Sequence, residues 1–113
     1  MKKHEELKLS FYKKIDAFGE KVYILDTSNA TNINKGLHFI DILNRTVIID
    51  LIETITLIQN NQIYDPYFLE NAEEFSVFNV IFSTPNFWIG GYQTIHMDDF
   101  KLLLQEWLVF RNL

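Results

Sequence analysis

The chain has 113 residues, of which 48% are apolar and 22% are charged, and its formal net charge is −5. This length and composition are ordinary for one globular domain with a single hydrophobic core, so we expect one α+β domain over residues 1–113. The absence of cysteine excludes disulfides, thiolate zinc sites, iron–sulfur clusters and a cysteine nucleophile.

The charges are distributed unevenly along the chain. Residues 46–100 contain no lysine or arginine but carry eight carboxylates, whereas residues 1–45 contain eight basic and six acidic residues. An excess of one sign attracts a cationic partner and repels nucleic acid, whose binding depends on lysine and arginine. We therefore expect a protein partner and no nucleic acid.

The sequence lacks the usual features of exported and membrane-spanning proteins. The N-terminus is charged from Lys2 onward and has no apolar segment of the signal-peptide type. The most apolar stretch, residues 47–58, is interrupted by Asp50 and Glu53 and is shorter than the roughly 20 residues that a spanning helix needs. We expect a cytoplasmic protein that does not bind membranes.

The N-terminal segment fits two secondary structures. One helix face is predicted by the spacing of Leu7, Phe11, Ile15 and Phe18, which indicates a helix over residues 3–18 that stops at Gly19. Residues 7–11 also alternate between apolar and polar, which is typical of a strand and is the alternative to this helix.

A strand, a loop and an ambiguous segment follow. Residues 22–25 are β-prone, and the polar, Asn-rich residues 26–36 predict a loop that is longer than most connections. Residues 37–43 fit either a buried strand or a helical turn. Residues 63–74 contain Asp65-Pro66 and predict a loop that leads into a short helical turn.

Two amphipathic helices are predicted from the spacing of apolar residues. The first covers about residues 44–60, ends at Asn60-Asn61, and has Asp50, Glu53 and Thr54 on its wetter side. The second begins near Asp98-Asp99, where carboxylates favour a helix N-terminus. Their apolar stripes are Ile48, Leu51, Ile52, Ile55 and Ile58 in the first helix, and Phe100, Leu103, Leu104, Trp107 and Leu108 in the second.

A β-hairpin is predicted between these helices. Residues 75–83 and 87–95 are rich in aromatic and β-branched side chains, and Thr84-Pro85-Asn86 separates them, with Pro85 and Asn86 at the centre of a turn. Gly90-Gly91 predicts a bulge or a close backbone approach in the second strand. Because both strands are apolar on both faces, we expect the hairpin in the middle of an antiparallel sheet packed against N-terminal, middle and C-terminal helices.

No sequence pattern indicates catalysis or metal binding. The three histidines, His4, His38 and His96, are far apart and form no metal motif, and His38 with Asp41 is interpreted as a surface hydrogen-bonded pair. Residues 88–92, Trp-Ile-Gly-Gly-Tyr, lack the spaced glycines and the Lys-Ser/Thr of a phosphate loop. We expect no enzymatic activity, no metal and no cofactor.

Residues 64–75 form an acidic, aromatic segment. Its carboxylates complement lysine and arginine, and tyrosine adds contact area at low entropic cost, so the segment predicts a partner-binding surface. The alternative is a solvated loop whose aromatic rings cap the core. The predicted partner-binding residues are Asp65, Tyr67, Glu70, Glu73 and Glu74, with Tyr92 and Asp26 as further candidates.

Residues 87–110 resemble the C-terminal part of several small bacterial immunity proteins. The resemblance rests on a strand, an acidic–aromatic helix start and a Leu-Leu-x-Glu-Trp helix, which here are residues 87–95, Asp98-Asp99-Phe100, Leu103-Leu104, Glu106-Trp107 and Phe110. Such proteins neutralise polymorphic toxins, including those of contact-dependent growth inhibition systems. The resemblance implies a cognate toxin domain as partner, often a nuclease with a basic groove that an acidic inhibitor would occupy.

Charge and resemblance together predict a non-enzymatic immunity protein, monomeric or weakly dimeric when free, whose toxin is expected to be a ribonuclease. One alternative is a homodimeric scaffold module that associates through the apolar hairpin without a toxin partner. Another is a small-ligand binder or enzyme with a pocket between sheet and helices. A tight symmetric dimer would favour the first alternative, and a polar cavity with converging carboxylates would favour the second.

Overall fold

The computed structural model describes residues 2–65, 80–89 and 93–111. Two antiparallel sheets, β1-β2 and β3-β4-β5, are combined with helices, which confirms the α+β class. In chain order the elements are α1 (Lys3–Glu6), β1 (Ser10–Ile15), β2 (Lys21–Asp26), a 3₁₀ helix (Asn32–Ile42), α2 (Arg45–Gln59), β3 (Val80–Ser83), β4 (Asn86–Ile89), β5 (Gln93–His96) and α3 (Met97–Arg111).

The predicted helix over residues 3–18 is wrong, and the extended alternative is nearer to the structure. Helix α1 ends at Glu6, and β1 pairs antiparallel with β2. The supposed helical stripe is not a buried face, because Ile15 is 63% exposed and Phe18 is 90% exposed. Pairing with β2 satisfies the backbone groups of β1 that face β2 and outweighs the helical spacing of these residues.

The reversal between β1 and β2 is built by Asp16 and Gly19. One carboxylate oxygen of Asp16, Oδ1, accepts the backbone N–H groups of Phe18 and Glu20 at 2.8 and 2.9 Å. Gly19 has a φ of +80°, a conformation that glycine adopts without steric cost. Gly19 therefore belongs to a strand turn rather than to a helix end, and the strand predicted for residues 22–25 is confirmed within β2.

The predicted loop over residues 26–36 is shorter than expected, because the 3₁₀ helix begins at Asn32. This helix also settles the ambiguity of residues 37–43 in favour of a helical conformation up to Ile42. It supplies much of the core, since its apolar side chains Leu37, Phe39 and Ile40 are fully buried, as is Leu43 directly after it.

Helix α2 confirms the central amphipathic helix. The Asn44 side chain caps its start by accepting the Val47 backbone N–H at 2.9 Å, and Asn61 follows its end with a φ of +55°. Asp50 and Glu53 are exposed as predicted, but Thr54 is buried, so its placement on the wetter side was wrong. The buried face of α2 consists of Val47, Ile48, Leu51, Thr54, Ile55 and Ile58.

The predicted hairpin exists, but its bounds differ. Strands β3 and β4 pair with Ser83 opposite Asn86, so the two central turn residues are Thr84 and Pro85, joined by a cis peptide bond, and Asn86 is already in β4. Residues 87–95 do not form one strand, because β4 and β5 pair antiparallel with each other. The bulge predicted at Gly90-Gly91 lies outside the described residues.

The three-stranded sheet places only β4 in its centre. Within the described residues β3 is an edge strand, and Ile81 on it is 59% exposed, so the expectation of a hairpin covered on both faces fails for β3. The difference arises because the second predicted strand splits into β4 and β5, and β5 takes the other side of β4.

Helix α3 confirms the predicted C-terminal helix and closes the core. Phe100 stacks on Phe87 of β4 with ring centroids 4.6 Å apart, and Trp107 is fully buried. The buried face of α3 is Met97, Phe100, Leu103, Leu104 and Trp107. In the part of the chain that the structure describes, no helix combines the length and the apolar character needed to cross a bilayer.

Candidate protein-binding surface

The outward face of α2 carries two exposed carboxylates. Asp50 and Glu53 are three residues apart, which places them as neighbours on one helix face. The opposite face holds the buried aliphatic residues, so core packing forces these carboxylates towards solvent. Within residues 2–65, 80–89 and 93–111, neither forms an ion pair with a lysine or arginine. Among the described residues this face is therefore anionic.

The predicted binding residues are only partly described. Tyr67, Glu70, Glu73, Glu74 and Tyr92 lie outside the described residues. Asp65 is exposed, as a contact residue must be.

Asp26, the other described candidate, has a local structural role. One of its oxygens, Oδ1, accepts the Ser28 backbone N–H at 2.9 Å, and Oδ2 accepts the Ser28 hydroxyl at 3.0 Å. Asp26 thus shapes the turn after β2. Asp26 is the last residue of β2, whereas Asp65 follows α2.

The first aromatic residue of the predicted segment, Tyr64, packs against the core. Tyr64 is half-buried and meets Phe82 of β3 edge to face, with ring centroids 6.1 Å apart. This packing of Tyr64 agrees with the alternative in which the aromatic rings of this segment cap the core.

The carboxylates at the start of α3 are partly neutralised. Asp99 pairs with the Lys3 ammonium at 3.0 Å, and the same ammonium lies 2.8 Å from Glu6. The hydrogen bonds that the Lys3 ammonium donates to Glu6 and Asp99 raise the pKa of Lys3. Asp98 accepts a hydrogen bond from the Gln59 amide at the end of α2. Where α1 meets α3, the basic Lys3 of the N-terminal third thus lies close to the acidic Asp99, so the basic and acidic parts of the sequence are not fully separated in the folded protein.

A half-buried cluster that the sequence did not reveal joins α1 to α3. Glu106 Oε2 accepts the Lys3 backbone N–H at 2.7 Å, and Oε1 accepts the His4 backbone N–H at 2.9 Å and lies 2.7 Å from His4 Nδ1. Burial alone acts to raise the pKa of the Glu106 carboxyl, but the hydrogen bonds from His4 and Lys3 outweigh it and hold that pKa below its usual range. The one sequence signal was a carboxylate directly before the buried Trp107 of α3.

An apolar groove opens beside this cluster. The His4 ring stacks on Phe11 with centroids 4.1 Å apart, and Phe11 meets Trp107 edge to face at 5.1 Å. The groove has a volume of about 490 Å³ and continues along α3 past Leu102 and Val109, both of which are exposed. It offers apolar contact area rather than catalytic groups.

A second, more polar pocket of about 420 Å³ lies where α2, the β3–β4 turn and the start of α3 meet. Its His96 Nδ1 accepts the Asp98 backbone N–H at 3.1 Å and lies 3.6 Å from the Asp98 carboxylate. The ring nitrogen that a carboxylate would orient in a catalytic triad is thus already engaged with the backbone. Asp98 is its only carboxylate among the described residues, so converging acids are not seen there.

His38 and Asp41, the remaining titratable pair noted in the sequence, both contact backbone groups. His38 Nδ1 contacts the Lys35 carbonyl at 2.9 Å, and Asp41 Oδ2 accepts the Leu25 backbone N–H at 3.2 Å. Burial raises the pKa of Asp41, and the Leu25 hydrogen bond and the nearby His38 oppose that rise. Across the described ranges, no three His, Asp or Glu side chains converge as a metal site would require.

Comparisons of the chain with protein-family models, with curated proteins and with solved structures found no match. The resemblance of residues 87–110 to immunity proteins therefore stays a prediction. What can be said of function rests on the charges, the exposed surfaces and the packing described above.

Proposed function

We propose that this protein is a non-enzymatic immunity protein that binds and neutralises a cationic toxin domain in the cytoplasm. The observation that carries the proposal is the anionic outward face of α2, where Asp50 and Glu53 are exposed without a lysine or arginine partner among the described residues. The neighbouring sequence supports it, since residues 46–100 contain no lysine or arginine.

A nuclease is the class of toxin that this charge fits best. A ribonuclease binds the phosphate backbone through lysine and arginine, so its substrate groove is basic. Carboxylates on an inhibitor can take the place of phosphates in such a groove and speed the encounter by electrostatic steering. The carboxylates proposed to act in this way are Asp50, Glu53, Asp65, Glu70, Glu73 and Glu74.

The test is neutralisation of a toxin. The toxin domain is to be taken from the C-terminus of a large secreted protein encoded directly upstream of this chain. Expression of that domain alone should stop bacterial growth, and co-expression of this chain should restore it. If no such gene is present, or if growth is not restored, the immunity proposal is wrong.

Charge reversal tests which surface makes the contact. Asp50→Lys with Glu53→Lys, and separately Glu70→Lys, Glu73→Lys and Glu74→Lys together, should each slow association by about tenfold or more at low salt and leave folding intact. The matched control for the α2 pair is Glu5→Lys with Glu20→Lys, which changes the net charge equally at exposed carboxylates of the N-terminal third. If the control slows association as much as the α2 pair, net charge and not the α2 face is responsible.

The homodimeric module keeps one specific observation in its favour. Ile81 is exposed on β3, which is an edge strand within the described residues. Exposed apolar edges are sites of strand pairing between chains. Sedimentation of the purified chain distinguishes the proposals, since a tight dimer that Ile81→Thr dissociates would favour the module over the immunity protein.

A further inference from the structure

The outer edge of β1 can be identified from its hydrogen bonds. The Leu25 backbone N–H of β2 donates to Asp41 and so points away from β1, whereas the Asp16 N–H donates to the Glu20 carbonyl across the hairpin at 2.9 Å. Antiparallel pairs alternate between bonded and non-bonded, so Phe11 opposite Leu25 is a non-bonded pair. The N–H groups of Phe11, Lys13 and Ile15 therefore point outward from the hairpin.

The two edges of this hairpin differ. The outer edge of β2 is covered by the 3₁₀ helix, whose Asp41 accepts the Leu25 N–H. The outer edge of β1 forms no backbone pairing among the described residues, and five of the six residues of β1 are exposed. Outward N–H and C=O groups in a row are a template for an additional strand.

The apolar groove begins at the same strand. Phe11 lies on β1 and also lines the groove, and its ring faces α3 through Trp107 and Phe110 at centroid distances of 5.1 and 5.5 Å. Because side chains alternate between the two faces of a sheet, every second residue of a strand added to β1 would face α3. Those residues would contact Val109, which is 76% exposed.

The charge on the face of β1 opposite the groove selects an acidic occupant. Side chains alternate along β1, so Lys14 lies on the face opposite Phe11, and it is exposed there. The carboxylate in the groove, Glu106, is already engaged by His4 and by the start of α1. A second copy of β1 is a poor occupant, because antiparallel pairing would bring the Lys13 and Lys14 side chains of both copies close together.

We infer that the outer edge of β1 and the adjoining groove bind an extended segment of a partner protein in which apolar and acidic residues alternate. The segment adds a third strand to β1-β2. Its apolar side chains lie on the α3 face and enter the groove at Val109, and its carboxylates lie on the opposite face, where they meet Lys14. Strand addition supplies main-chain hydrogen bonds, and the groove supplies specificity. This surface differs from the face of α2, and the inference does not depend on the proposed immunity function.

Hydrogen exchange tests whether the edge is open in the protein alone. The amides of Phe11, Lys13 and Ile15 should exchange rapidly, and those of Tyr12 and Lys14, which pair with β2, should exchange slowly. If all five exchange slowly, the edge is already occupied by the chain itself or by a second copy, and the inference is overturned. Sedimentation of the wild type and of Lys13→Pro then tells those two occupants apart.

A peptide tests the occupant. The probe is an end-capped peptide of eight residues that alternates valine and glutamate, and the control peptide alternates valine and lysine. Titration into the isotope-labelled protein should protect the Phe11, Lys13 and Ile15 amides and shift the signal of Val109, with the lysine peptide at least about tenfold weaker. Absence of binding by the glutamate peptide, or equal binding of both, overturns the inference.

Two variants at one position separate the backbone contact from the side chain. Lys13→Pro removes the outward N–H without removing a bond to β2, since proline is tolerated on strand edges. Lys13→Ala removes the same side chain but keeps the N–H. Binding of the glutamate peptide should change by less than about twofold in Lys13→Ala and fall about tenfold in Lys13→Pro. Equal binding by the two variants would show that no strand is added.

Discussion

His4 Nδ1 lies 2.7 Å from Glu106 Oε1, which joins the two ends of the chain across 102 sequence positions. The same carboxylate accepts the backbone N–H groups of Lys3 and His4, although α1 has no side-chain cap of its own at Lys2. Glu106 of α3 thus caps α1 from outside that helix. An ionised carboxylate only accepts hydrogen bonds, so this contact requires a proton on His4 Nδ1.

Neutralising this cap should destabilise the fold. Glu106→Gln keeps the shape of the side chain but replaces charge-assisted hydrogen bonds by weaker ones, and one amide group cannot accept all three donors as the carboxylate does. We expect the free energy of unfolding to fall by about 1–3 kcal/mol, measured by urea denaturation. The control Glu5→Gln changes an exposed carboxylate of α1 and should cost less than about 0.5 kcal/mol. Equal losses in the two variants would contradict the capping role.

The same carboxylate predicts a pH dependence of stability. Its pKa is lower in the folded protein than its ordinary value of 4.5, so the unfolded chain takes up the proton first as the pH falls. The stability that Glu106 contributes is complete above pH 4.5 and is lost as the pH falls through the folded pKa. Thermal unfolding from pH 7 to pH 3 should therefore show wild type and Glu106→Gln converging below pH 4.5. A constant difference between them over that range would contradict this assignment.

Asp41 should behave in the opposite way. Burial raises its pKa above the ordinary value of 3.8, so ionisation disfavours the folded protein, and stability is lost as the pH rises from 3.8 through the folded pKa. Asp41→Asn keeps an acceptor for the Leu25 N–H without a charge, and its melting temperature at pH 7 should equal or exceed that of the wild type. Asp41→Ala leaves that N–H without its acceptor and should cost about 1 kcal/mol. A lower melting temperature for Asp41→Asn than for Asp41→Ala would refute this account.

Gly36 is required by a close approach to Gln93. A Cβ atom at Gly36 would lie 3.1 Å from Gln93 Cβ and Cγ, and the Gly36 N–H donates to Gln93 Oε1 at 3.1 Å. Gln93 is fully buried and cannot move aside easily. Gly36→Ala should cost about 1–3 kcal/mol by denaturant unfolding. In a Gln93→Ala background the same change should cost much less, and strictly additive costs would show that the two residues do not interfere.

The sequence by itself determined the two long helices. The apolar stripes of α2 and α3 fit only the helical period. Asn44 and the Asn60-Asn61 pair mark the ends of α2 through local hydrogen bonding and backbone preference. These signals lie within a few residues of the structure they specify, so no knowledge of the rest of the chain is needed.

Tertiary structure decided the N-terminal segment and the second half of the predicted hairpin. Leu7, Phe11 and Ile15 fit a helical face, and only pairing with β2 makes Ser10–Ile15 a strand. Residues 87–95 are rich in aromatic and β-branched side chains, and periodicity cannot show that they divide into two antiparallel strands, β4 and β5.

The same distinction applies to the surfaces proposed to bind partners, because the sequence predicts one of them and tertiary structure determines the other. The exposure of Asp50 and Glu53 follows from the helical period of α2, so the sequence predicts it. The capping of α1 by Glu106 and the outer edge of β1, which is unpaired among the described residues, depend on contacts between residues far apart in the chain. Such contacts are selected by the free energy of the whole packed core, and no local pattern in the sequence encodes them.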